Sequence, residues 1–281
     1  MTKLSEIIQL YISEILPRKR QKTQLNQRHQ LNFWAKHLGE INIADIKPLD
    51  VIKARSLIQA SDATKNIYMA ALRHLFTVAL KEFGVVNENP LLKISNLKNP
   101  NARVRYLSNQ EFAELLIACK ESANQYLYLV VLLALSTGAR KMEIMNLTWS
   151  DVDIDKQLIY LHTTKNGELA TLPIPAKIMP DLLEHLTCSK TALLFPSKRN
   201  SNKPIDLRHP FSQALQQAGI KDFRFHDQRH TFASYLAMNG ASMSELMELM
   251  RHKSPSMTKR YTHLSTGHKS KVVNDMIDKI F

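Results

Sequence analysis

The run Tyr126–Ala139, YLYLVVLLALSTGA, constrains this chain more than any other stretch. It is apolar nearly all round, so a helix built from it has no face to offer water. It is also shorter than the ~20 residues needed to cross a bilayer. It must therefore be the central helix of a globular core. Gly138 lies at its end, and Arg140 follows at once.

The segments before it read as amphipathic helices. Leu4, Ile7, Ile8, Tyr11, Ile12, Ile15 and Leu16 repeat at helical spacing until Pro17 and the basic run Arg18, Lys19, Arg20. TQLNQRHQLNFWAKHL is a second helix closed by Gly39. A third starts near Pro48, and a fourth runs from a Ser61 or Asp62 cap to Gly84. Residues 1–98 are thus expected to form an all-helical bundle, and 99–106 a linker with one proline, two asparagines and two arginines. Residues 107–281 form a second domain, opened by Ser108 with Glu111 three residues on as a capping box.

After the central helix and a short one over RKMEIMNLTW, the pattern switches to alternation. SDVDIDKQLIYLHTTKNGELATLPIP reads as three antiparallel strands with a hairpin tip at Lys165–Gly167. Helices then resume to the end. The fold class expected is mainly α: a helical bundle, then a mixed α+β domain with one small three-stranded antiparallel sheet.

The net charge is +13 and cations outnumber acids in both halves, so a polyanion touching both domains, nucleic acid first, is the partner the charge suggests. Lys98 at its border and Arg103 and Arg105 within it make the linker region basic. The two cysteines, Cys119 and Cys188, lie far apart and give neither a disulfide framework nor a CxxC pair, which fits a reducing cytoplasm. The acidic residues in the first helix argue against a signal peptide, and no membrane partner is expected.

Three separated segments carry candidate chemistry. STGARKMEIMNL holds Arg140 and Glu143, the hairpin tip holds Lys165, and FHDQRHTF…MRHKSPSMTKRYTHL holds His226, Arg229, Arg251, His252 and Tyr261. Arginine suits an anionic transition state because it stays charged and donates paired hydrogen bonds. His226 and Arg229 stand three apart near the start of one helix, so one can steer an anion while the other exchanges a proton. Tyr261 is set off from the other tyrosines by its cationic neighbours. A phenol is only about a thousandth ionised at pH 7, so a nucleophilic role needs help from those neighbours. Each residue has a bland alternative. A lone arginine, a turn lysine or a histidine such as His230, His263 or His268 is more often solvated or packed. Zinc is disfavoured, because no cysteine or HExxH accompanies the histidines.

The motifs STGARKMEIMNLTWSDVDI, TTKNGE, HDQRHTFASYLAMNG and KSPSMTKRYTHL, in this order, closely resemble the tyrosine site-specific recombinases, above all phage and mobile-element integrases. The resemblance spans most of 103–281, and the helical first half is similar, more weakly, to that family's core-binding domain. It implies DNA strand exchange through a covalent 3′-phosphotyrosine at Tyr261, with no metal and no ATP. Arg140 and Arg229 then clamp the phosphate. Lys165 protonates the departing 5′ oxygen, His226 is the acid–base helper near the tyrosine oxygen, His252 donates to the phosphate, and Glu143 orients the catalytic groups.

The partners implied are a double-stranded att-like site and a homotetramer on two duplexes. An accessory directionality or bending protein belongs to the same picture. The C-terminal stripe Val272, Val273, Met276, Ile277, Ile280 packs on its own domain or docks on a neighbouring copy. No separate arm-binding domain is expected unless residues 1–25 serve as one. Within the family a chromosome-dimer resolvase is the alternative. Outside the integrase reading, a type IB topoisomerase or a silent DNA-binding protein remains. Two positions depart from the family pattern. Gln228 stands where leucine is common. Arg251 stands where glycine is common, which would strain an arginine held at positive φ or give it a phosphate contact.

Overall fold

The computed structural model describes residues 2–98, 105–162, 170–188, 192–265, 274 and 276 of the 281. The chain divides into two compact units, Met1–Ala102 and Arg103–Phe281.

The first unit is a helical bundle of α1 (Leu4–Glu14), α2 (Gln21–Leu38), α3 (Pro48–Ser56) and α4 (Asp62–Lys81). Pro17 ends α1 in a short 3-10 turn, and proline stands at the first position of α3, where a missing N–H costs nothing. The Ser61 hydroxyl caps α4 by accepting from Thr64 N. The heptad-like apolar face of α1 meets α2 and α4 around the fully buried Tyr11, Trp34 and Phe76. Trp34 keeps its indole N–H satisfied on the Tyr68 carbonyl at 3.0 Å.

The second unit opens with α5 (Asn109–Lys120), held by the expected capping box: Ser108 Oγ accepts from Glu111 N, and Glu111 Oε2 accepts from Ser108 N. Next comes the apolar run, α6 (Leu127–Thr137), whose side chains from Leu127 to Thr137 are almost all buried. It packs on α5, on α7 (Lys141–Met145) and on α10 (Asp227–Met238), so it is the hub of this unit. Strands β1 (Val152–Asp153), β2 (Leu158–Leu161) and β3 (Ala170–Pro173) form one antiparallel sheet in the order β1-β2-β3. The β2–β3 register runs from Leu158 opposite Pro173 to Leu161 opposite Ala170. The hairpin tip between them, with Lys165, lies outside the described residues. Helices α8 (Met179–Cys188) and α9 (Arg208–Gln217) follow, then α10, α11 (Met243–Met250) and α12 (Pro255–Lys259). The mainly helical class with a small antiparallel sheet is the one the sequence leads to.

Of the last helix expected from the sequence, only Asn274 and Met276 are described, both helical; the rest of the 272–280 stripe lies outside the described residues.

Candidate active site

The site forms where the ends of α6, α10, α11 and α12 meet. Gly138 closes α6 in the left-handed region, φ 62°. Glycine is needed twice over, since L side chains avoid that conformation and a Cβ would stand 2.3 Å from Phe232 Cδ1. The turn aims the Gly138 carbonyl at Arg229, whose Nη1 donates to it at 2.6 Å. Arg229 Nη2 donates to the Met250 carbonyl at the end of α11. Two helix C-termini, each carrying partial negative charge, therefore hold one guanidinium that is only 4% exposed. Two of its five N–H groups are committed in this way. Burial, with Arg140 and Arg251 adding to it, brings its pKa down to about 9.

Arg140 sits at the N-cap of α7. Its backbone N–H donates to Glu143 Oε2 and its Nη1 to Oε1, both at 2.9 Å. Arg251 Nη2 donates to the same carboxylate, at 2.8 Å from Oε2. Burial pushes the Glu143 carboxyl up, but the Arg140 N–H and the charges of Arg251 and Arg140 outweigh it and hold the pKa below its ordinary value. Glu143 thus spaces two arginines.

Arg251 caps α11 with φ 51°, the left-handed conformation that glycine would adopt freely. An arginine there costs roughly 1–2 kcal/mol. Its Nε and Nη1 are buried with no hydrogen-bond partner.

His252 Nδ1 pairs with the buried Thr258 Oγ1 at 2.8 Å. Burial, then Arg229, Arg140 and Arg260, hold its pKa down to about 4. Tyr261 follows α12 and is 1% exposed, packed in a small apolar cluster with Ala233, Ala237, Leu246 and Met250. Burial raises its pKa, while Arg260 and Arg229 pull the other way.

The imidazole on the Tyr261 hydroxyl is that of His230, through Nδ1. The family resemblance points to His226 for that position. His226 is exposed at the N-cap of α10, its ring edge-on to His230 with centroids 5.3 Å apart. Partial burial and Arg229 lower its pKa. His230 escapes a reading of the sequence because its partner comes from another helix, and nothing local tells which of two histidines faces it. Burial, then His226, bring its pKa down to about 4.

The linker cations divide three ways. Lys98 is exposed, and Arg103 lies outside the described residues. Arg105 gives both Nη atoms to Glu111 and lies over the Phe223 ring at 5.6 Å. Among the described residues no group of three or more His, Cys, Asp or Glu could hold a metal ion, and no helix is long and apolar enough to cross a membrane.

Solved structures with the same fold include integrases. The Tn1549 transposon integrase, solved with transposon right end DNA, matches 97% of this chain and 100% of its own with a TM-score of 0.79 at 18% identity. Lambda integrase, solved as a tetramer bound to a Holliday junction, matches 91% of this chain and 79% of its own with a TM-score of 0.72 at 20% identity. Residues 105–268 match the phage integrase family. The chain belongs to that family, and its relatives are tyrosine recombinases. The integrase of Salmonella phage P22 is 30% identical over 269 residues, covering 91% of this chain. The chain spans 66% of that relative's length, just under two thirds.

Proposed function

We propose that the chain is a site-specific DNA recombinase that cleaves and rejoins DNA through a covalent 3′-phosphotyrosine at Tyr261, serving integration and excision of a phage or other mobile element. The observation that carries this reading is the convergence of Arg140, Arg229, His252 and Tyr261 from four helix ends onto one site. Family membership and the phage relative support it.

Attack on a phosphodiester piles negative charge on the non-bridging oxygens, and fixed donors in a buried site meet that charge without reorganising. Arg229 is already held by the Gly138 and Met250 carbonyls and keeps N–H groups free for a phosphate. Arg140 is braced by Glu143. A phosphate oxygen also supplies the partner that Arg251 Nε and Nη1 lack. His252 and the rim residue His226 add neutral donors. Tyr261 Oη attacks phosphorus, the 5′ oxygen leaves, and Lys165 at the hairpin tip gives that oxygen its proton. A partner's 5′ hydroxyl then reverses the step.

The working form is a tetramer on two att-like duplexes, in line with the lambda tetramer on its junction, with the C-terminal stripe docked on a neighbouring copy. Lys98, Arg103 and Arg105 are assigned to contacts with the DNA backbone. An accessory bending or directionality protein completes the assembly, in the cytoplasm of a bacterial cell.

The test is trapping. Labelled nicked duplexes from DNA flanking the gene are mixed with the wild type or Tyr261→Phe and quenched in SDS. A slow protein–DNA band with wild type alone is expected. A normal gel shift with no band from the wild type would sink the reading in favour of binding alone. Relaxation of any supercoiled plasmid without a partner site would replace it by topoisomerase action.

A further inference from the structure

We infer that His230 is a catalytic residue of this site: it takes the proton of Tyr261 as the tyrosine attacks phosphorus, and it returns that proton when the ester is resealed. The inference rests on the recombinase reading above and adds a residue to it.

A neutral phenol cannot become a phosphate ester without losing its proton, so some group within reach of Oη must accept it. Among the described residues, the hydrogen bond on Tyr261 Oη is made with His230 Nδ1. The rings lie 5.9 Å apart and tilted by 42°, so the contact is through the edge nitrogen rather than by stacking. His226, Arg140 and His252 make their contacts elsewhere. The exposures also order these groups: Tyr261 is buried, His230 is half-buried and His226 is exposed. The imidazole on the phenol is thus the inner one of the pair.

The electrostatics suit an acceptor. The groups acting on His230 are His226, Asp227 and Arg229 from its own helix, and Arg260, Tyr261 and His252 from the segments packed against it. Burial first, and then cations that outnumber the single carboxylate, keep the ring neutral over the whole physiological range, so its Nδ1 is ready to accept. A weak base suffices. As the oxygen–phosphorus bond forms, the phenol oxygen loses its basicity and the proton runs downhill. The arriving phosphate also neutralises the arginines that depress the ring.

The step balances as follows. The Oη–H bond breaks and its proton passes to Nδ1. The Oη–P bond forms with the phenol's electron pair. The P–O5′ bond breaks, and the leaving oxygen takes a proton from Lys165 or solvent. The imidazolium so formed lies beside an ester whose non-bridging oxygens carry negative charge. Resealing runs the same transfers backwards.

The experiment measures adduct formation on the labelled nicked duplexes from pH 6 to 9, for the wild type and His230→Asn. Asparagine keeps an acceptor near the Nδ1 position but cannot carry a proton. At pH 7 the variant is expected to be about a hundredfold slower or worse, the usual range for general base catalysis. Only pre-ionised phenolate then attacks, so its rate should rise about tenfold per pH unit and close on the wild type. A deficit that stays constant with pH, or no deficit, overturns the assignment. Gel-shift affinity and thermal melting identify a variant that fails to fold. In that case a more acidic fluorotyrosine at 261, with His230 intact, decides. Less than about a threefold change at pH 7 supports proton transfer to a base, and a gain of about tenfold or more shows attack by free phenolate. Absence of any adduct from the wild type would overturn the recombinase reading itself, whereas an adduct with a pH-independent deficit overturns His230 alone.

Discussion

At the scale of single residues, the two departures from the family pattern behave differently. Gln228 is fully buried, and neither its Nε2 nor its Oε1 has a hydrogen-bond partner. Leaving a buried amide unsatisfied costs on the order of 1–3 kcal/mol. Gln228→Leu should therefore stabilise the chain, raising the melting temperature by about 2–4 °C per kcal/mol for a unit of this size. A fall in melting temperature would mean that the amide finds a partner after all. Arg251 is the opposite case, strained in its backbone yet tied to Glu143. The strain is legible in the sequence, because a position that favours glycine signals positive φ. The ion pair is not, since Glu143 lies over a hundred residues away and nothing local names it. The two histidines show the same divide. Spacing along α10 groups His226, Arg229 and His230 near one helix start, but only the folded path of α12 decides which imidazole Tyr261 meets.

At the scale of elements, the sequence speaks most clearly where one segment decides the outcome alone. The all-round apolar α6, the Ser108–Glu111 box and the alternating strands are local patterns, and each stands in the fold as its pattern says. The meeting of α6, α10, α11 and α12 is not local, and there the chain has buried titratable groups. His230 and His252 have pKa values of about 4 against an ordinary 6.5, in both cases mainly through burial. Between those values the unfolded chain binds more protons than the folded one, so stability rises with pH across that window. The contribution is complete above about pH 6.5 and is lost as pH falls toward 4. Glu143, held below its ordinary value, adds a loss of the same sign at lower pH. Melting curves should thus shift downward from pH 6.5 to 4.5 in the wild type. The double variant His230→Asn, His252→Gln should show a shallower fall over the same range. Equal slopes would place the acid sensitivity elsewhere.

At the scale of the whole molecule, charge is what both units share. The net +13 is spread over the bundle and the second unit rather than gathered in a tail. Helix α2 is the sharpest instance. Its sequence QKTQLNQRHQLNFWAKHL has no acidic residue, and Lys22, Arg28 and Lys36 are all exposed. Among the described residues these three make no ion pair, so no carboxylate there offsets them. A duplex would offset them instead, releasing condensed counterions as it binds. The logarithm of affinity should then fall linearly with the logarithm of salt, with a slope of about −0.9 for each phosphate neutralised. Changing Lys22, Arg28 and Lys36 to glutamine should flatten that slope by up to about 2.7, one phosphate for each cation removed. Affinity for unrelated duplexes should drop in step, because phosphate contacts carry no sequence information. Gel-shift titrations of the full chain at four or five salt concentrations measure both effects. An unchanged slope would take α2 off the DNA-facing surface and leave the second unit to account for binding.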